Sequence, residues 1–261
     1  YFAALMGHEV HVYEGRTQLG GMMRFGIPSY RFPRERLDED IAAILRAGDT
    51  AVHAGEAVDA AALERLAADF DALYVAIGAH GAKTLRLENE GAAGVFSAVE
   101  LLGAIGEGVI PDFTGKRVVV VGGGNVAMDC ARTAVRCGGE VTVVYRRRLE
   151  DMTALAAEVE AAIAEGVEMR PLQAPVGLAV NEEGAVRALI TQPQMVGPVK
   201  GGRPAPVPAD KPETVIAADV VLVAIGQDIV SDPFEAFGMA ADRGRFTADN
   251  FLVAEGFSNV F

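Results

Sequence analysis

The residues best equipped for chemistry lie between Arg117 and Arg148. RVVVV at 117–121 runs into GGGNVA at 122–127, a helical stretch from Met128 to about Arg136, and a strand from Glu140 to Tyr145. Strand, Gly-rich turn, helix and strand within about thirty residues is the order that a dinucleotide-binding unit requires. Gly122 permits the tight turn, Gly124 lets backbone approach a pyrophosphate, and Ala127 keeps helix and strand close. The helix start offers unpaired N–H groups and the positive end of its dipole. The next strand ends in Tyr145, Arg146, Arg147 and Arg148, where an NAD site carries an acid for the ribose 2′-hydroxyl. Guanidiniums there suit the 2′-phosphate of NADPH through charge-assisted, bidentate bonds. The plainer reading is a solvated basic turn, which is less ordinary in a chain of net charge −13.

The elements around this motif occur twice. GHEVHVY at 7–13 matches GGEVTVVY at 138–145, and DALYVAIG at 71–78 matches DVVLVAIG at 219–226, in the same order. Two related α/β units follow, each with a helix-ending Gly before one strand and a VAIG-terminated strand later. Superposing Gly7 on Gly138 puts the counterpart of Gly122 before Tyr1, so the chain is expected to be a fragment of a longer protein, its first unit truncated. The first copy ends its strand with Glu14, the acid that an adenine nucleotide's ribose calls for. The two units should therefore bind different nucleotides. LGGMMRFGIPSYRFPRE at 19–35, with Gly20, Gly21, Gly26 and Pro28, reads as an irregular loop. It is open either to a backbone-contacting ligand or to plain solvent.

Residues 34–47, 59–69 and 153–165 have helical apolar spacing, and Glu158 faces either the nucleotide or solvent. Short strands flank NEEG between 175 and 191, and six prolines from Pro193 to Pro212 predict a long loop before a strand at 214–217. This is a β-meander in place of a crossover helix. Gly103, Gly106, Gly108 and Pro111 suggest a junction near 103–116.

The 261 residues include 23 Lys plus Arg against 36 Asp plus Glu, which argues against binding a nucleic-acid backbone or an anionic membrane. At 51 % hydrophobic residues the chain can bury a sizeable core. No apolar run approaches the roughly 18–20 residues of a membrane span. Two cysteines make no disulfide framework, which fits a reducing, cytoplasmic setting. Cys130 and Cys137 lie seven apart on one helix, about 10.5 Å by helix rise, too far for a redox pair. His8, His11, His53 and His80 lack metal-ligand spacing, and no Ser-His-Asp arrangement can be argued.

GGMMRFGIPSYRFPRERLDEDI at 20–41, GKRVVVVGGGNVAMDCARTA at 115–134, VVYRRRLEDM at 143–152 and FSNVF at 257–261 resemble the glutamate synthase small-subunit family. This flavoprotein group includes the NADPH subunit of electron-bifurcating transhydrogenase and the N-terminal part of dihydropyrimidine dehydrogenase. The resemblance spans essentially the whole chain. It implies an α/β protein of two interleaved Rossmann-like domains: a partial FAD-binding domain at 1–109 and 238–261, and an NADPH-binding domain at 110–237. Glu14 would bind the FAD ribose, Gly20, Gly21 and Pro28 would line the flavin side, and Gly78 would close the first domain. Gly122 belongs to the nucleotide turn; Gly123, Gly124, Asn125 and Val126 would hold the NADPH pyrophosphate. Arg146 and Arg147 would take its 2′-phosphate, and Gly226 and Gln227 would sit beside the coenzyme. Asp129 falls in the same motif, with a helix-surface role as its alternative.

In this family NADPH passes a hydride to FAD, and electrons continue to iron–sulfur clusters, in glutamate synthase those of the large subunit. No catalytic acid or base and no protein-held metal is expected, because the cofactors carry the chemistry. The family's first Gly-rich turn and its iron–sulfur domain are not among these residues, so the piece by itself need not retain FAD. The alternatives are a bifurcating transhydrogenase subunit and a non-catalytic NADP-binding module.

Overall fold

The computed structural model describes residues 1–242 and 244–261. Its contacts divide the chain into two compact units, the first Tyr1–Arg24, Ser29–Gly81 and Asp228–Phe261, the second Phe25–Pro28 and Ala82–Gln227. The division differs from the sequence boundaries at 109 and 238 over residues 82–109 and 228–237.

The second unit carries a five-stranded parallel sheet. Its strands are β3 (Val95–Ser97), β4 (Arg117–Val121), β5 (Glu140–Tyr145), β6 (Glu168–Pro171) and β11 (Val220–Val223), in the order β3-β11-β4-β5-β6. Val118 to Val121 are all at most 3 % exposed, as expected for a strand covered on both faces. Alternation splits them: Val118 and Val120 pack among Leu102, Met128 and Ala131, while Val119 and Val121 pack among Leu178, Leu189 and Ile216. The first face belongs to helices α5 (Ala98–Gly106), α6 (Asn125–Arg136) and α7 (Ala156–Ala164). The second belongs to the antiparallel meander of β7 (Gln173–Val180), β8 (Val186–Lys200), β9 (Arg203–Pro208) and β10 (Thr214–Ala217).

Three expectations for this unit need correction. The proline-rich stretch is a hairpin, β8 with β9, and not a long loop. Pro204, Pro206 and Pro208 sit on the outermost strand of the order β9-β8-β10, where a missing N–H costs no ladder bond. The supposed junction at 103–116 begins inside α5. Ser97 caps that helix, its Oγ accepting from the Val99 N–H at 3.2 Å, and buried Gly103 follows where α5 packs on α6. Glu158 is not on a solvated face: half-buried, it accepts from Arg132 Nη1 at 2.6 Å, tying α7 to α6.

Arg117 starts β4 and forks onto Asp219, just before β11, with Nε–Oδ2 at 2.9 Å and Nη2–Oδ1 at 2.6 Å. The Arg117 backbone N–H adds a bond at 3.0 Å. Hydrogen bonds and positive charge from Arg117 hold the Asp219 carboxyl well below the usual carboxylate range. Stability from this depressed group is present above about pH 4 and is lost as pH falls toward the folded-state value. Asp219→Asn should therefore destabilise by about 1 kcal/mol at neutral pH, discounted for partial exposure. Urea melts should show the difference from wild type shrinking below about pH 4; a pH-independent difference would refute the assignment.

In the first unit, β1 (Val10–Glu14) follows a short helix and pairs in parallel with β2 (Thr50–Ala54). His11 Nδ1 and His53 Nε2 meet at 3.0 Å across them. α3 (Arg34–Leu45) and α4 (Ala60–Asp69) lie where helical spacing predicts, α4 capped by Asp59 accepting from the Ala62 N–H at 2.8 Å. DALYVAIG, expected as a strand over 71–78, forms only a parallel bridge from Leu73 to Val260. Val75 also donates to the Phe261 carbonyl at 2.7 Å, and Tyr74 is exposed. The loop at 19–35 is more ordered than expected, since GMMRF forms the helix α2 (Gly21–Phe25). Arg24, 8 % exposed, donates to the Leu19 carbonyl at 2.6 Å and pairs with Asp38. Arg34 Nη1 donates to the Met23 carbonyl at 2.9 Å. Burial and the neighbouring Arg24 charge lower the Arg34 guanidinium below its usual value.

Candidate functional site

The parallel sheet sets the place of the site. β4 continues to β5 on one side, while β11 lies on its other side, so the strand order reverses between β4 and β11. In open α/β sheets the crevice at the carboxyl ends of such a pair is the ligand site. Gly122 leaves β4 with φ +150, and a Cβ there would stand 2.3 Å from the Ala224 carbonyl oxygen. The second glycine has a role that motif reasoning missed. A Cβ on Gly123 would stand 2.4 Å from the Tyr145 ring, which lies over it. Tyr145 Oη donates to the Asp151 carbonyl at 2.9 Å, and the Gly123 carbonyl accepts from the Thr153 and Ala154 N–H groups at 3.0 and 3.1 Å.

Gly124 is different: a Cβ there would meet only Thr153 Oγ1, at 3.5 Å. Gly124 is also the cap residue of α6, and no side chain closes that helix start. Open space above a glycine and an uncapped helix start are what an approaching anionic pyrophosphate needs. Asn125 caps nothing here. Its Oδ1 accepts from the Leu155 N–H at 2.9 Å and so anchors the loop before α7. Beside the turn is a cleft lined by Ala98, Val99, Val126, Val223, Gly226 and Gln227. Gln227 Nε2 is buried there without a hydrogen-bond partner among the described residues, an orphan that a bound polar ligand would satisfy. Lys83 was not foreseen: its carbon chain lies 3.2 Å from where a Gly226 Cβ would stand. Asp129 is 3 % exposed, so the helix-surface alternative does not hold.

The three arginines after β5 have separate fates. Arg148 is committed to acids: Nε and Nη2 fork onto Asp151 at 2.8 and 2.9 Å, and Nη1 reaches Glu150 at 3.0 Å. The bonds and charge of Arg148 lower the Asp151 carboxyl, and those of Asp151, with the Glu150 charge, raise the Arg148 guanidinium. The expectation of three available guanidiniums is corrected to this extent. Arg147 Nε donates to the Pro204 carbonyl at 3.1 Å. Arg146 is exposed and has no hydrogen bond or ion pair among the described residues.

In the first unit, Glu14 ends β1 with Oε1 accepting from the Arg16 N–H at 2.9 Å. Gly20 has φ +123, and a Cβ there would stand 2.9 Å from Leu37. Gly21 opens α2, Gly78 has φ +67 beside His80, and Pro28 lies in the segment grouped with the second unit.

Cys130 is fully buried, its Sγ 3.8 Å from the Ala98 carbonyl, and burial pushes its thiol far up. Burial and the Asp112 charge raise Cys137 as well. A thiol reagent at about pH 8 should leave Cys130 untouched in the folded chain and modify half-buried Cys137 only slowly. Both should react on unfolding; fast labelling of both in the native state would contradict this packing.

A glycine turn at a sheet's switch point, an uncapped helix start and a basic strand end define a dinucleotide-binding α/β protein. The chain belongs to the pyridine nucleotide-disulphide oxidoreductase family, whose model matches residues 2–261. It is 37 % identical over 266 residues to the NADP(+)-dependent formate dehydrogenase subunit beta of Moorella thermoacetica, covering 100 % of this chain and 37 % of that protein. It is 37 % identical over 235 residues to the NADPH-Fe(3+) oxidoreductase subunit beta of Geobacter sulfurreducens, covering 87 % and 35 % respectively. The glutamate synthase [NADPH] small chain of Escherichia coli is 35 % identical over 233 residues, covering 84 % and 49 %, in line with the sequence resemblance. The chain thus spans between a third and a half of these relatives. Among solved structures, Mycobacterium tuberculosis FprA in complex with NADPH superposes with a TM-score of 0.79 at 19 % identity, over 97 % of this chain and 71 % of that one. That likeness bears on the fold.

Proposed function

We propose that this chain is the nucleotide-binding part of an NADPH-dependent flavoprotein that passes electrons to an iron–sulfur partner. One observation carries the NADPH reading: the strand that follows the glycine turn ends in Arg146, exposed and unpaired among the described residues, where an NAD site needs an acid. Arg146 and Arg147 hold the 2′-phosphate, and Gly122, Gly123, Gly124 and Val126 present backbone to the pyrophosphate. Asn125 acts through the Leu155 loop, and Gly226 and Gln227 border the nicotinamide end. In the first unit Glu14 accepts from the ribose of FAD, with Gly20, Gly21 and Gly78 around the rest of it. When bound, FAD would supply the hydride-accepting chemistry, with NADPH as the donor and the partner as the destination of the electrons. No side chain is asked to move a proton in that transfer.

The relatives' names support the coenzyme more than the final acceptor. They share NADP(H) and differ in what stands opposite it: formate dehydrogenase, Fe(3+) or glutamate synthase. The coenzyme side is accordingly assigned to this chain, and the acceptor to a partner such as a glutamate synthase large subunit. Among the described residues no helix is long and apolar enough to cross a membrane. The test is a flavin spectrum and NADPH-dependent dye reduction on the full-length protein. A yellow protein that reduces dye with NADPH supports the reading. A colourless, inactive protein that still binds NADPH makes it a binding module instead.

A further inference from the structure

We propose that Arg203, on the β8–β9 hairpin, is a third guanidinium of the 2′-phosphate pocket and a determinant of NADPH over NADH. This rests on the NADPH reading of Arg146 and Arg147. The hairpin is stitched to the phosphate loop through both the side chain and the backbone of Arg147. Arg147 Nε donates to the Pro204 carbonyl on β9 at 3.1 Å. The Arg147 carbonyl accepts from the Leu172 N–H at 3.0 Å, and the Leu172 carbonyl accepts from the Gln194 N–H on β8 at 2.8 Å. Gln194 is 8 % exposed, its Nε2 donating to the Gln192 and Pro193 carbonyls, so the base of the hairpin, where Gln194 pairs with Pro208, is held in place. At the other end, where Arg203 pairs with Lys200, the tie is the Arg147 bond to Pro204.

Arg203 is one peptide from Pro204, a step of about 3.8 Å between Cα atoms. A guanidinium on its flexible stem can therefore reach a phosphate gripped by Arg147. Its own state fits that use. Arg203 is exposed and, among the described residues, makes no hydrogen bond or ion pair. Arg148, by contrast, is matched to Asp151 and Glu150. In a chain of net charge −13, Arg146 on the Arg147 loop and Arg203 next to Pro204 both lack acid partners among the described residues. A compact dianion such as a phosphate monoester suits two such guanidiniums. Pro204, Pro206 and Pro208 also keep β9 from recruiting a further strand, since each lacks the N–H that strand addition uses.

Calorimetry on the full chain with adenosine 2′,5′-bisphosphate and with 5′-AMP tests this without any redox turnover. Wild type should bind the bisphosphate more tightly than AMP. Arg203→Ala should weaken the bisphosphate about tenfold, leave AMP and the melting temperature unchanged, and lose only part of that affinity as Arg203→Lys. If Arg203→Ala keeps the wild-type ratio while Arg146→Ala loses it, the hairpin inference fails and the coenzyme reading stands. If wild type itself does not distinguish the two ligands, the coenzyme reading fails and takes this one with it. Weakened capture of an iron–sulfur partner at an unchanged ratio would assign Arg203 to protein contact and overturn the proposal.

Discussion

Gly122→Ala will abolish nucleotide binding and lower the melting temperature by about 10 °C. Two costs combine. The φ of +150 is one that L side chains rarely adopt, and the new Cβ would stand 2.3 Å from the Ala224 oxygen and 3.0 Å from its carbon. Neither neighbour can retreat cheaply, because Ala224 donates to the Val121 carbonyl at 2.8 Å and Gly122 to the Val144 carbonyl at 3.0 Å. Overpacking against fixed backbone together with φ strain costs about 3 kcal/mol or more, and each kcal/mol moves the midpoint by roughly 2–4 °C at this size. Gly124→Ala is the control. Its Cβ meets only Thr153 Oγ1 at 3.5 Å, so stability should change by less than about 1 kcal/mol while the pyrophosphate approach is blocked. Thermal melts and calorimetry on both variants separate fold from site. Equal destabilisation by the two would contradict the geometry of the turn.

Arg146→Ala should raise the NADPH KM by roughly 10- to 100-fold and change the NADH KM less than about twofold. A bidentate, charge-assisted bond to phosphate contributes about 1.5–3 kcal/mol, and 1.4 kcal/mol is tenfold. Among the described residues Arg146 has no acid to release first, so the whole effect should appear in coenzyme affinity. Arg148→Ala should behave differently. It frees the 8 %-exposed Asp151 side chain from its fork, disturbing the loop whose carbonyl holds the Tyr145 hydroxyl over Gly123. Its effect should fall on both coenzymes alike. Steady-state kinetics with each nucleotide decides between these patterns, and equal losses for Arg146→Ala would remove it from the 2′-phosphate.

Much of this was legible before any coordinates because the signals are local. RVVVV reads as a strand buried on both faces because four consecutive residues are apolar, and GGGNVA reads as a turn because only glycine tolerates its first φ. The helices at 34–47, 59–69 and 153–165 follow from their apolar spacing. The proline-rich stretch misled because proline's effect depends on which edge of a sheet it occupies, and edge position is set by strand order. Gly103 and Gly106 misled because a helix can carry glycine where a neighbouring helix presses close.

What chain order determined is the kind of molecule: two α/β units, a dinucleotide turn in the second and a basic strand end beside it. Backbone conformation, strand covering and charge sign are carried by neighbours along the chain. Tertiary structure alone decided which cation stays available, because Arg148 finds Asp151 and Arg147 turns to Pro204, and such pairings depend on which loops fold back. It also decided that Tyr145 roofs Gly123, that Glu158 ties two helices together, and that a hairpin some fifty-five residues further on meets Arg147 through the Pro204 carbonyl. Contacts between distant segments arise from packing, which spacing along a chain does not encode.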